Sequence, residues 1–226
     1  MLINGIIAIC KNGGIGKNNK LPWSYPEDLK QFQALTTGNK KNAIIMGRKT
    51  LEGMPFLKHR DHLVLTNSMI INNVVKNNII KSFTNINDLL LFCKTKNYDN
   101  IWIIGGAEIF QSFFKLNIIE KLYITYIDQH FDCDVYFPAI PDNYLLIDKK
   151  EVPRKTVTDL NGYFLQYNII KKGDSIIYKN ELYNVENIHY DDYPNLYYTI
   201  KNKEKEINTV KKNLSFPSIH HNMDYL

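Results

Sequence analysis

Ile101-Trp102-Ile103-Ile104-Gly105-Gly106-Ala107-Glu108-Ile109-Phe110 is the stretch that decides the fold. Four consecutive apolar residues make a short run with no polar side, which is the signature of a strand buried on both faces. Two glycines then break the run and allow a tight turn. Beyond them, residues 107–115 carry helical spacing. A strand that runs through two glycines into a helix belongs to a sheet with helices packed on it.

The same alternation extends in both directions. Upstream, residues 2–10 (LINGIIAIC) read as a strand that ends at the glycine-rich stretch Lys11–Gly16. Pro26 suits a first helical position, and Glu27 to about Leu35 continues the helix. A strand at 43–46 (AIIM), a short helix after Gly47 and a strand at 62–66 (HLVLT) come next, with weaker strand signals at 79–82. Asn87–Lys96 reads as a helix capped by Asn85 or Asn87. Downstream lie a strand at 121–128 (KLYITYID) and two more at about 145–152 and 163–169. This order predicts an α/β fold with a mostly parallel central sheet and flanking helices. The last two strands have no helix between them and predict an antiparallel C-terminal edge.

Residues 171–214 change character. Runs at 175–178, 182–190, 196–201 and 206–210 are separated by turn-forming residues. Short strands at this spacing predict a small all-β, SH3-like module. Residues 215–226 read as a flexible polar tail, so the expected division is 1–170, 171–214 and 215–226. Seven of the 15 tyrosines fall after residue 170, including Tyr190, Tyr193, Tyr197 and Tyr198. They either fill the core of the module or line a groove for a protein or peptide partner.

The chain has 226 residues, 44% of them hydrophobic, enough for a core without staples. No apolar run reaches the roughly 20 residues of a membrane helix, and Met1–Gly5 shows no export leader. Cys10, Cys93 and Cys133 have neither disulfide nor metal spacing, so we expect reduced cysteines and a cytoplasmic location. His59 and His62 lack a second ligand pair, and no metal is expected. The net charge of +5 lies wholly in residues 1–170, with 20 Lys+Arg against 15 Asp+Glu; residues 171–226 carry eight of each. A mildly basic body favours an anionic small molecule over nucleic acid.

Three constellations carry chemistry. Within Leu21-Pro22-Trp23-Ser24-Tyr25-Pro26-Glu27-Asp28-Leu29-Lys30-Gln31-Phe32, helical spacing puts Asp28, Phe32 and Leu35 on one face. Asp28 there either complements the helix N-terminus or grips a flat, nitrogen-rich ring by paired hydrogen bonds. In Ala43-Ile44-Ile45-Met46-Gly47-Arg48-Lys49-Thr50, two cations and a hydroxyl stand at a helix start; they form a solvated basic turn or a phosphate site. Gly105-Gly106 makes a second strand-to-helix turn where backbone could approach a diphosphate. Two such turns point to a dinucleotide with an extra phosphate, and Leu65-Thr66-Asn67-Ser68 adds hydroxyls at a third strand end. Arg60 is either a surface charge or a bidentate carboxylate ligand.

In this order, the segments resemble dihydrofolate reductase over about residues 2–169. Gly13-Gly14-Ile15-Gly16 with Asn19-Lys20-Leu21-Pro22-Trp23 is similar to the mobile active-site loop of that family. Asp28 and Phe32 match its acid and aromatic, and Ile45–Thr50 and Ile104–Phe110 its two NADPH-phosphate segments. Leu122-Tyr123-Ile124-Thr125 matches the strand whose threonine bonds the acid, and Asp134 and Phe137-Pro138 fit the segment after that strand. The resemblance implies hydride transfer from NADPH to C6 of dihydrofolate, with a proton to N5, in support of one-carbon metabolism and thymidylate synthesis. It implies that Asp28 holds the pterin, with Thr125 and a water near Trp23 extending the network. Ile6 and Ile104 would receive the pterin's other donors through their carbonyls. Phe32 and Leu57 would flank the benzoyl ring, and Arg60 would bind the glutamate carboxylate. The cofactor would lie against Ala8, Ile15, Gly16, Asn19 and Leu21, then Gly47, Arg48, Lys49 and Thr50, then Leu65, Thr66 and Asn67. Ile104, Gly105, Gly106, Ala107, Glu108, Ile109 and Phe110 would complete its site. Lys58-His59 departs from the family's usual Pro-Gly, and Phe110 from its common tyrosine. Two other readings stay open: a riboflavin-pathway pyrimidine reductase of the same fold, and a non-catalytic scaffold for the C-terminal module.

Overall fold

The computed structural model describes residues 2–68, 70–154, 156, 159–191 and 196–216. Its elements begin β1 (Leu2–Cys10), β2 (Gly14–Gly16), α1 (Pro26–Thr37), β3 (Asn42–Gly47), α2 (Arg48–Gly53), β4 (Arg60–Leu65), β5 (Asn72–Val75) and β6 (Asn78–Phe83). Next come α3 (Ile86–Lys96), β7 (Asn100–Gly105), α4 (Ala107–Lys115), β8 (Lys121–Ile127), β9 (Val135–Tyr136), β10 (Tyr144–Glu151) and β11 (Gly162–Ile169). The chain ends with β12 (Ser175–Tyr178), β13 (Glu181–His189), β14 (Tyr197–Lys201), β15 (Glu206–Val210) and β16 (Leu214–Ser215). It divides into two compact units, 1–138 with 151–164, and 139–150 with the described residues from 165 onward.

In the first unit the sheet runs β8-β1-β7-β3-β4-β6-β5. All its pairs are parallel except β5–β6, an antiparallel hairpin at the edge. The sequence reading missed β5, whose Asn72-Asn73-Val74-Val75 is polar and largely exposed. Ala43–Met46, Leu63, Val64, Ile101 and Ile103 have no measurable exposure. That is why their sequences are apolar without alternation: each strand has a covered face on either side. One cover is α1, which packs Phe32 and Leu35 against Ile44, Met46, Val64, Trp102 and Ile104. In α3, Leu89 and Cys93 are fully buried four residues apart, and Asn85 caps the helix by accepting from the Asp88 N–H at 2.9 Å. Such a cap stabilises a helix by about 1 kcal/mol. No helix among the described residues is long and apolar enough to cross a membrane.

In the second unit a five-stranded sheet runs β15-β14-β13-β12-β16 with every pair antiparallel. Its core holds Ile170, Ile176, Tyr183, Val185, Leu196, Tyr198, Ile200 and Leu214, with Leu145 packed against it. Tyr198 donates to the Asp142 carbonyl at 3.0 Å. Leu145 and Asp142 explain why this unit reaches back to 139–150, where the sequence reading set one boundary at 170. Ser215, expected in the tail, belongs to β16, and Phe216 packs on the core. Two residues of strand are too few to show a period. The expected tail from 217 onward lies outside the described residues.

Candidate functional site

A cleft of about 960 Å³ opens in the first unit, lined by Ile6 and Ala8 of β1, Gly47 of β3, Leu65 of β4 and Ile104 of β7. These residues sit in the C-terminal halves of parallel strands, where open α/β sheets place their ligands. The parallel topology thus puts loops of distant sequence around one crevice.

One end of the cleft holds an anion without a cation. Asp28 stands in the first turn of α1 and is 8% exposed. Burial pushes its carboxyl above the usual carboxylate range, and a hydrogen bond with Thr125 partly opposes the shift. No cation among the described residues pairs with it. Phe32 follows four residues later and lines the same wall. The other end holds a cation without an anion. Arg60 is 4% exposed; its Nη1 donates to Thr36 Oγ1 at 2.6 Å and its Nε to Lys58 O at 3.1 Å. Burial draws its pKa down, and its guanidinium carbon lies 6.0 Å from the Phe32 ring centroid. A ligand complementary to this wall carries hydrogen-bond donors at one end, an aromatic middle and a carboxylate at the other.

The opposite side suits phosphates. Gly47 and Gly106 precede α2 and α4, and neither helix start has a side-chain cap. The two turns are neighbours: a Cβ on Gly106 would lie 3.8 Å from Thr50 Oγ1, and one on Gly47 3.4 Å from Ile109. Gly105 has φ +117°, which side chains rarely adopt, and the peptide bond to Gly106 is cis. Apart from the chain neighbours of Gly106, no heavy atom of the described residues comes nearer to that position, so a ligand can approach the backbone there. Gly47 is registered with Leu65, so Arg48 and Thr66 follow adjacent strand ends. Arg48 pairs with Glu52 at 2.7 Å while still half-exposed. Guanidinium, ammonium, hydroxyl and free N–H groups form the donor set of a phosphorylated dinucleotide.

The loop between β1 and α1 borders both halves. Its strand β2 pairs with β9, Lys17 pairs with Asp132, and the Asn18 N–H donates to Asp134 at 2.9 Å. Ile15, Gly16, Asn19 and Leu21 line the cleft, and Leu21 is half-exposed. Gly14 lies against Cys133: a Cβ there would come within 2.3 Å of its Sγ. Gly14→Ala is therefore expected to lower stability by about 1–3 kcal/mol through overpacking. A thermal melt measures this, and an unchanged midpoint would contradict the packing described.

The predicted residues mostly converge. Ile6, Asp28, Phe32, Leu57, Arg60 and Ile104 line the cleft, as do Ala8, Lys49, Thr50, Thr66, Asn67, Ala107, Glu108 and Ile109. Four do not line it. Thr125 acts from behind, through Asp28. Gly105 shapes the turn from beneath. Phe110, expected at the cofactor, is fully buried among Phe114 and Phe137, because α4 turns that face to the core. Trp23 is buried against Phe131, and its Nε1 has no hydrogen-bond partner among the described residues. Leu29, Gln33, Met54, Pro55, Thr84 and Val135 also line the cleft and were not anticipated. Thr84 was accessible to reasoning, since it follows β6 as Thr66 follows β4. Val135 was not, because β9 has only two residues.

The dihydrofolate reductase family model matches residues 2–169. The chain is 34% identical over 178 residues to dihydrofolate reductase of Drosophila melanogaster, covering 75% of this chain and 97% of that one. It is 31% identical over 180 residues to the Aedes albopictus enzyme, covering 74% and 95%. With the viral dihydrofolate reductase of Saimiriine herpesvirus 2 it shares 33% identity over 186 residues, covering 76% and 85%.

Proposed function

We infer the work of each residue from one premise: the chain belongs to the dihydrofolate reductase family. It is an oxidoreductase that reduces dihydrofolate to tetrahydrofolate with NADPH. The pyrimidine-reductase and scaffold readings give way to this match.

The assignment of residues rests on the unpaired charges along one wall, Asp28 and Arg60. Asp28 accepts from the pterin's amino group and ring N3, and Thr125 fixes the orientation of the carboxylate. The backbone carbonyls of Ile6 and Ile104 receive the remaining ring donors. Phe32 and Leu57 hold the benzoyl ring, and Arg60 takes the glutamate carboxylate in bidentate fashion. Arg48, Lys49, Thr50, Thr66 and the Gly105-Gly106 turn hold the phosphates of NADPH, which supplies the hydride when bound. Leu21, on the loop, excludes water from the reacting centre. A carboxylate bonded to the amino edge of the ring lies away from N5, so water delivers the proton while Asp28 polarises the ring. We place the enzyme in the cytoplasm, because Cys10, Cys93 and Cys133 are all free thiols. The test is loss of NADPH absorbance by the purified chain with and without dihydrofolate. Absence of a dihydrofolate-dependent rate refutes the function.

For the second unit we propose an SH3-like barrel. Support comes from strand order: after the meander β12 to β15, a short 3-10 helix at Lys211–Asn213 returns the chain to pair β16 with β12. Tyr183 and Tyr198 are fully buried in its core. Tyr190 is half-exposed, and Tyr197 stacks on His189 with centroids 4.2 Å apart. These two are the aromatic surface for a peptide partner; Tyr193 lies outside the described residues. Deleting 171–226 removes the partners of Ile170 and Leu145. The truncated chain is expected to melt lower and aggregate more, while its soluble fraction keeps kcat. Unchanged solubility and stability would favour an add-on binding module over a structural part.

A further inference from the structure

His62 is fully buried and has no role in the assignments above. Side chains alternate along β4, so Arg60, His62 and Val64 share one face. That face is the one on which Phe32, Leu35 and Leu57 pack. The His62 Nε2 accepts a hydrogen bond from the Leu57 backbone N–H at 3.3 Å. The Phe56 ring stacks on its imidazole with centroids 4.8 Å and planes 16° apart.

Segment 54–59, between α2 and β4, has no regular structure, yet Leu57 and Arg60 line the cleft beside it. Two inward ties hold its middle: Leu57 N–H to His62, and Lys58 O to Arg60 Nε. A buried residue that merely filled space would need no acceptor, and leucine would serve. Burial, reinforced by the charge of Arg60, pushes His62 down to about 4, against the pull of the Arg60 backbone and of Asp61. The ring is therefore neutral at physiological pH, and Nε2 keeps the lone pair that Leu57 requires.

We propose that His62 is a positioning residue for the distal half of the substrate, holding segment 56–58 so that Leu57 and Arg60 meet the benzoylglutamate. This inference rests on the assignment of Leu57 and Arg60 to that part of dihydrofolate. The pterin end, held by Asp28 on α1, does not depend on His62.

The test compares dihydrofolate with a dihydropterin that lacks the benzoylglutamate, using the full chain. His62→Leu is expected to raise KM for dihydrofolate on the order of tenfold, the loss of one buried hydrogen bond. Its kcat, and its KM for the truncated pterin, should stay within about twofold. His62→Gln places an amide oxygen near the Nε2 position and should restore most of the affinity. Phe56→Leu removes the stacking without disturbing the buried ring and gives a smaller rise, again confined to dihydrofolate; it decides the matter if His62→Leu does not fold. An unchanged KM for dihydrofolate, or equal rises for both substrates, overturns the proposal. If the wild-type enzyme itself handles both substrates alike, the assignment of Leu57 and Arg60 is what fails.

Discussion

Asp28→Asn is expected to lose at least about a hundredfold in turnover at pH 7, while NADPH affinity stays unchanged and the free protein becomes more stable. The two effects have one cause. Asp28 is a buried carboxylate whose pKa is raised by burial, against a weaker pull from Thr125. The folded chain therefore binds a proton more readily than the unfolded chain, for which the carboxyl titrates near 3.8. Stability contributed by this residue is greatest in acid and falls as pH rises through the folded pKa. At neutral pH the charge is a standing cost, met by a substrate that offers donors. Asparagine keeps the shape and can still accept from Thr125, but it cannot polarise a pterin. Relief of that cost raises the melting midpoint, by roughly 2–4 °C for each ~1 kcal/mol in a chain of this size. The gain should shrink as pH falls through the folded pKa and vanish in stronger acid, where wild-type Asp28 is itself protonated in both states. Turnover should recover in part at low pH, where the substrate is more readily protonated before binding. Steady-state kinetics and melts over the same pH range measure both, and full activity at pH 7 would refute the assignment.

Residues such as Asp28 mark where sequence reasoning stops. Its helix, its neighbour Phe32 and the strands 43–46 and 101–104 are legible, because burial on both faces writes an unbroken apolar run. Strands β2, β9 and β16 are not, since two or three residues cannot show a period, and β5 is not because it is polar and largely exposed. Helical spacing alone leaves Asp28 between a cap and a ligand; the resemblance chooses. Phe110 shows a different limit: a matched motif position does not say which way its side chain faces, and this one is fully buried on α4 rather than lining the cleft. His62 and Thr36 lie beyond both methods. Their partners, Leu57 and Arg60, are fixed by how loops and strands meet in space.

Arg60→Leu is expected to raise KM for dihydrofolate by roughly thirtyfold to several thousandfold, with kcat within a few-fold of wild type. Removing one member of a desolvated, hydrogen-bonded charge pair typically costs about 2–5 kcal/mol, and tenfold corresponds to about 1.4 kcal/mol. Three features place Arg60 in that range rather than among surface charges worth under about 1 kcal/mol. It is 4% exposed. Thr36 and Lys58 O hold the side chain in place before substrate arrives, so little rotamer freedom remains to be lost. No carboxylate among the described residues satisfies it, so the ligand must. The structural cost should be modest, because Thr36 Oγ1 keeps its own bond to Phe32 O at 2.6 Å. Arg60→Lys separates charge from geometry: an ammonium keeps the sign but loses the fork, and an intermediate KM is expected. A pterin without the glutamate should be reduced equally well by all three proteins. If Arg60→Leu weakens that truncated substrate as much as dihydrofolate, the guanidinium is supporting the cleft rather than binding the carboxylate.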